Sequence, residues 1–116
     1  MYLFEYQAKE LMRQAGISVL PGAVATTESR AVAAAGELGA GPWAVKAQVL
    51  AGGRAQGFFS NDRHLPGVVF AETSLEVGSV AQSMLGSVLI TPQTTSEGEM
   101  VNAVYIEPAI AVPQEV

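Results

Sequence analysis

The 116-residue chain contains no cysteine. This excludes a disulfide scaffold, a cysteine-based zinc site and thiol catalysis. It has a single histidine, His64, which excludes a histidine metal cluster. Basic residues are scarce: six Lys and Arg against eleven Asp and Glu leave a net charge of -5. Such a balance argues against holding a nucleic-acid backbone by bulk electrostatics. Only Lys9 and Lys46 are lysines, so their positions carry information. No window reaches the roughly 18 uninterrupted apolar residues of a membrane span. The opening Met1-Tyr2-Leu3-Phe4-Glu5 lacks a basic stretch followed by an apolar run, and so does not read as a secretory signal. It also lacks the Arg- and Ser-rich character of a transit peptide.

What the chain does have is apolar residues: 49% are hydrophobic and 15% charged. That is enough for a packed core and too much for a disordered chain. The length fits one compact domain, or part of a larger one.

Phe4, Ala8, Leu11, Met12 and Ala15 recur at helical spacing, and Gly16 follows as a stop. The spacing therefore predicts a helix over 4–15. A short strand over 22–26 comes after the Pro21-Gly22 turn signal. Thr26 or Thr27 then caps an alanine-rich helix over 28–38, with Glu28 in its first turn and Gly39 as its stop. Residues 43–50 read as a buried strand, 58–66 as an exposed loop and 67–70 as a strand. Val77, Val80, Ala81, Met84 and Leu85 mark a helix over 75–85, ended by Gly86. Two further strands, 88–91 and 100–106, are joined by a hairpin turn at Ser96-Glu97-Gly98-Glu99. The expected fold class is α+β: a mixed sheet with its helices on one side.

Two features suggest chemistry. Within Trp43-Ala44-Val45-Lys46-Ala47-Gln48-Val49, alternation puts Ala44, Lys46 and Gln48 on one strand face. An ammonium on so apolar a strand needs a counter-charge. A bound phosphate would serve; so would a glutamate, and an edge strand would let the lysine reach solvent. The second feature is the glycine-rich stretch Gly52-Gly53-Arg54-Ala55-Gln56-Gly57. Glycines let backbone N–H groups approach phosphate oxygens, and Arg54 can add a two-pronged contact. The stretch matches neither the P-loop nor the dinucleotide fingerprint, and alone it equally describes a flexible hairpin tip. Together, Lys46, the Gly52-Gly53 pair and Arg54 read as a phosphate clamp. Strand-end carboxylates such as Glu107, with Glu115 eight residues on, can accept hydrogen bonds from a ribose, but are more often solvated. His64, in Asn61-Asp62-Arg63-His64, reads as a solvated loop residue.

The residues Glu5-Tyr6-Gln7-Ala8-Lys9 resemble the opening of the β subunit of succinyl-CoA synthetase (succinate–CoA ligase). The run from Gly39 to Arg54 is similar to that family's strand and nucleotide loop. Leu85-Gly86, Thr91-Pro92-Gln93-Thr94 and Val101-Asn102 continue the similarity in order. Malate–CoA ligase and ATP-citrate lyase share the pattern. The resemblance covers nearly the whole chain, but about the first third of a typical β subunit.

It implies an ATP-grasp fold, of which residues 1–116 form one domain: the opening helix and the smaller, lid-like subdomain. It implies that Lys46 contacts the nucleotide phosphates, that Gly53, Arg54 and Ala55 cover them, that Glu107 sits at the hinge near the adenine and ribose, and that Glu115 also faces the nucleotide. The family enzyme joins succinate to coenzyme A in the tricarboxylic acid cycle, using ATP or GTP and magnesium, through a phosphohistidine on an α subunit. The magnesium ligands are expected outside this chain, which is not expected to be catalytic alone. A cytoplasmic location is expected, or the mitochondrial matrix for a processed eukaryotic chain. The family loop runs Gly-Gly-Arg-Gly-Lys-Gly. Here Ala55 replaces a glycine, restricting positive φ, and Gln56 replaces the lysine. The family's Glu-Ala-x-x-Asp becomes Glu107-Pro108-Ala109-Ile110-Ala111. A non-catalytic binding or partner module is the alternative reading.

Overall fold

The computed structural model describes residues 3–50 and 54–109. Helix α1 (Glu5–Gln14) leads to strand β1 (Ala23–Ala25), helix α2 (Glu28–Glu37) and strand β2 (Trp43–Ala47). A 3-10 turn (Arg54–Gln56) precedes β3 (Phe58–Phe59) and β4 (Val68–Ala71). Helix α3 (Ser74–Met84) and strands β5 (Val88–Ile90), β6 (Glu99–Met100) and β7 (Val104–Pro108) complete the order.

Local chemistry sets the helix boundaries. The Thr27 hydroxyl accepts from Arg30 N at the start of α2. Thr73 and Glu76 cap α3 reciprocally, each side chain taking the other's backbone N–H. Gly16, Gly39 and Gly86, the expected stops, all take positive φ after their helices, a conformation side chains disfavour.

Strands β1-β7-β2-β4 form one sheet and β3-β5-β6 a second, and every pairing among the described strands is antiparallel. Two antiparallel sheets thus stand where one mixed sheet is expected. On the larger sheet, Trp43, Val45, Ala47, Val104 and Ile106 share a face and join the core with Ala31, Ala34 and Ala35 of α2 and Val77, Ala81 and Met84 of α3. Alanine keeps α2 thin enough to lie close against this face.

The sequence expectation fails in three further places, each for a physical reason. Residues 58–66 contain β3, with Phe59 fully buried against the second sheet. A two-residue strand is too short to show alternation. The expected strand 100–106 is divided between β6 and β7, because the chain changes sheets at residues 101–103. There Val101 N donates to Ser87 O, and Ala103 O accepts from Gln48 N.

The third departure concerns α1. The helices do not all lie on one side, for α1 crosses the opposite face of the large sheet, the face of Lys46 and Gln48. None of its residues is buried, and its apolar Leu11 and Met12 are exposed. The sheet face beneath it is polar, so Glu5, Lys9 and Arg13 turn inward instead. No helix among the described residues is long and apolar enough to cross a membrane.

Candidate functional site

The register of β2 against β7 builds the site. Ala44 lies opposite Glu107 and Lys46 opposite Tyr105, which makes Lys46 and Glu107 diagonal neighbours on one face. Long side chains reach across that diagonal. Lys46 Nζ contacts Glu107 Oε1 at 2.5 Å and Glu5 Oε2 at 3.0 Å. Lys9, one helical turn after Glu5, contacts Glu107 Oε2 at 2.7 Å and Glu5 Oε2 at 2.9 Å. Two ammoniums and two carboxylates therefore alternate in a closed ring. Arg54 Nη1 joins it through Glu5 Oε1 at 2.6 Å. The Glu107 side chain is 5% exposed, so it is not the solvated strand-end carboxylate of the sequence reading. Its partners are brought to it by register, not by proximity in sequence.

Backbone contacts fix Arg54. Its carbonyl accepts from Gly57 N and Gly67 N, both at 3.1 Å, while Gly67 O accepts from Ala47 N at 2.8 Å. A Cβ on Gly67 would stand 2.8 Å from the Arg54 oxygen, so this approach requires glycine. The guanidinium also donates to Ala47 O. Gln48, 1% exposed, ties α1 to the sheet: its Oε1 accepts from Tyr6 N and its Nε2 donates to Lys46 O. Lys9 lies 5.3 Å from the centroid of Tyr105, whose hydroxyl accepts from Arg13.

Burial pushes the Glu5 carboxyl up. Hydrogen bonds from Lys9 and Arg54, the Arg54 charge and the Lys46 hydrogen bond outweigh this and hold it at about 2, against an ordinary 4.5. Burial lowers Lys9, but hydrogen bonds and charges from Glu107 and Glu5 more than offset it, leaving Lys9 above its ordinary value. The Glu5 contribution to stability is thus present above pH 4.5 and is lost as pH falls toward about 2. The Lys9 contribution is full below its ordinary 10.5 and is lost as pH rises through its raised value. Urea unfolding at pH 3 should show a loss on the order of 1–2 kcal/mol relative to pH 6, after allowance for solvent screening. Glu5→Gln should remove that part of the slope; an identical slope in the variant would contradict the ring.

Among the residues singled out from sequence, Lys46, Arg54 and Glu107 converge on this ring, while Gly53 and Glu115 lie outside the described residues. Ala55 sits in the 3-10 turn beside Arg54. His64 is exposed, as expected. Sequence reasoning missed Glu5, Lys9 and Gln48. Gln48 was signalled by its place on the Lys46 face and Lys9 by the scarcity of lysine, but the Glu5–Lys9 pair only by a four-residue spacing that is common on solvated helices. A pocket of about 390 Å³ on the flank of α1, lined by Leu11, Arg13, Val24 and Tyr105 among others, holds none of Lys46, Arg54 or Glu107.

Comparison with known proteins places this chain in a family. A family model described as an ATP-grasp domain matches residues 2–116. The β subunit of the ADP-forming succinate–CoA ligase of Wolinella succinogenes is 43% identical over 115 residues, which is 99% of this chain and 27% of that protein. The same subunits of Paramagnetospirillum magneticum and Paracoccus denitrificans are each 43% identical across 99% of this chain, covering 29% and 30% of their own lengths. The chain spans less than a third of the length of these curated relatives. Its likeness to them runs across both the α1 opening and the Lys46 strand, the two pieces that meet in the ring. With the domain match reaching from residue 2 to residue 116, the chain belongs to the ATP-grasp family.

Proposed function

We propose that residues 1–116 act as one domain, an N-terminal helix plus the smaller lid-like ATP-grasp subdomain. In this reading they are the nucleotide-binding N-terminal portion of a succinate–CoA ligase β subunit. The full enzyme would convert succinate, coenzyme A and a nucleoside triphosphate to succinyl-CoA, the diphosphate and phosphate in the tricarboxylic acid cycle. An α subunit would carry the phosphohistidine, and the location would be the cytoplasm, or the mitochondrial matrix in a processed eukaryotic chain. The relatives are ADP-forming by name, which favours ATP over GTP.

One observation carries the reading: Lys46 and Arg54 grip the two oxygens of a single carboxylate, at 3.0 and 2.6 Å. Two cations that share one anion are spaced to share a phosphate. Gly53 and Ala55 would cover the phosphates beside Arg54, Glu107 would sit near the adenine and ribose, and Glu115 would also face the nucleotide. Magnesium fits this ring poorly. Both carboxylates already face ammonium or guanidinium groups, which repel a divalent cation, so its ligands belong elsewhere in the enzyme.

The ring also favours a second reading, a charge lock that fastens α1 to the sheet and needs no nucleotide. Calorimetry separates the two. Lys46→Ala should weaken ATP binding by about 10- to 100-fold, well beyond the effect of Lys9→Ala. Wild-type protein that takes up neither ATP nor GTP would leave the lock alone standing.

A further inference from the structure

The geometry points to Glu5 as an internal occupant of the phosphate seat: a phosphate group enters between Lys46 and Arg54 by displacing the Glu5 carboxylate, not by binding beside it. This rests on the nucleotide-binding reading above and adds to it a competitor supplied by the chain itself. Arg54 Nη1 holds Oε1 and Lys46 Nζ holds Oε2, so the carboxylate bridges the two cations as two oxygens of one phosphate would. A polyphosphate placed alongside would set like charges on shared counter-ions, with Glu107 already on Lys46. Replacement avoids that repulsion.

The displaced carboxylate has somewhere to go. Lys9 already contacts Glu5 Oε2 from the same helix at 2.9 Å, so Glu5 keeps a counter-ion when Lys46 and Arg54 let go. The movement is also local. Glu5 is the first residue of α1, a helix that buries no side chain and is fastened to the sheet by polar contacts. Segments of this kind open at low cost. Apparent affinity then equals the intrinsic affinity multiplied by the fraction of molecules whose seat is open.

The test titrates ATP, and separately inorganic tripolyphosphate, into wild type, Glu5→Gln and Glu5→Gln/Lys46→Ala, with circular dichroism as the folding control. Neutralising Glu5 should tighten both ligands by about tenfold, and adding Lys46→Ala should abolish the gain. In parallel, tripolyphosphate added to 15N-labelled wild type should shift the backbone amides of Glu5 to Lys9 together with that of Arg54, a readout that needs no variant. Unchanged or weaker binding by Glu5→Gln, or Arg54 shifting while the α1 amides stay still, overturns the displacement and leaves nucleotide binding intact. Failure of every form to bind either ligand overturns both.

Discussion

Glu107→Ala is expected to destabilise the protein by about 3–5 kcal/mol, because it strips the shared counter-ion from two lysines at once. Both lysine side chains are 20% exposed and lose their contacts at 2.5 and 2.7 Å, while Glu5 alone remains to face Lys9, Lys46 and Arg54. A surface ion pair would contribute a fraction of this, since water replaces the lost partner. Here the carboxylate is 5% exposed and lies beneath α1, where water substitutes poorly. Urea unfolding with an unchanged m-value is the measurement. A loss under about 1 kcal/mol would show that the ring behaves as a surface feature. Glu107→Gln should fall between the two, because it keeps an oxygen for one lysine and loses the charge.

Phe59→Ala should cost a similar 3–5 kcal/mol by a different route, the cavity left by a fully buried ring together with its lost transfer energy. Phe59 pairs with Leu89, which is also fully buried, and its amide donates to Leu65 O, so the ring anchors both the small sheet and the turn after it. Phe58→Ala, on the neighbouring partly exposed position, should cost clearly less. Equal losses for the two variants would contradict the packing described for β3.

These two residues mark the boundary of what the sequence made legible. The alternation around Lys46 was readable because a strand has a fixed period of two, and the neighbours of Lys46 on the other face are uniformly apolar. Helix ends were readable from Thr27 and the three glycine stops, since capping is local chemistry; the Thr73 cap of α3 was not read. The partners of Lys46 were not. Glu107 lies 61 positions away and Glu5 41, and only the β2–β7 register and the crossing of α1 bring them together. The same limit explains α1: Leu11 and Met12 form a regular stripe, but which stripe turns inward depends on the surface offered, and this sheet offers charge. Phe59 escaped notice because two residues carry no period.

Lys9, Lys46 and Arg54 are half of the chain's six basic residues. Set against Glu5 and Glu107 they make a spot of net charge +1, so a chain of net charge -5 carries -6 everywhere else. At low ionic strength, where the screening length is long, an approaching polyanion meets net repulsion from the acidic remainder, and only close to the ring does it meet attraction. Added salt therefore acts in opposite senses on the two stages, easing the encounter while loosening the final grip. A small, densely charged anion fits inside the attractive spot; an extended one, such as a nucleic-acid strand, overhangs it and is turned away by the acidic remainder.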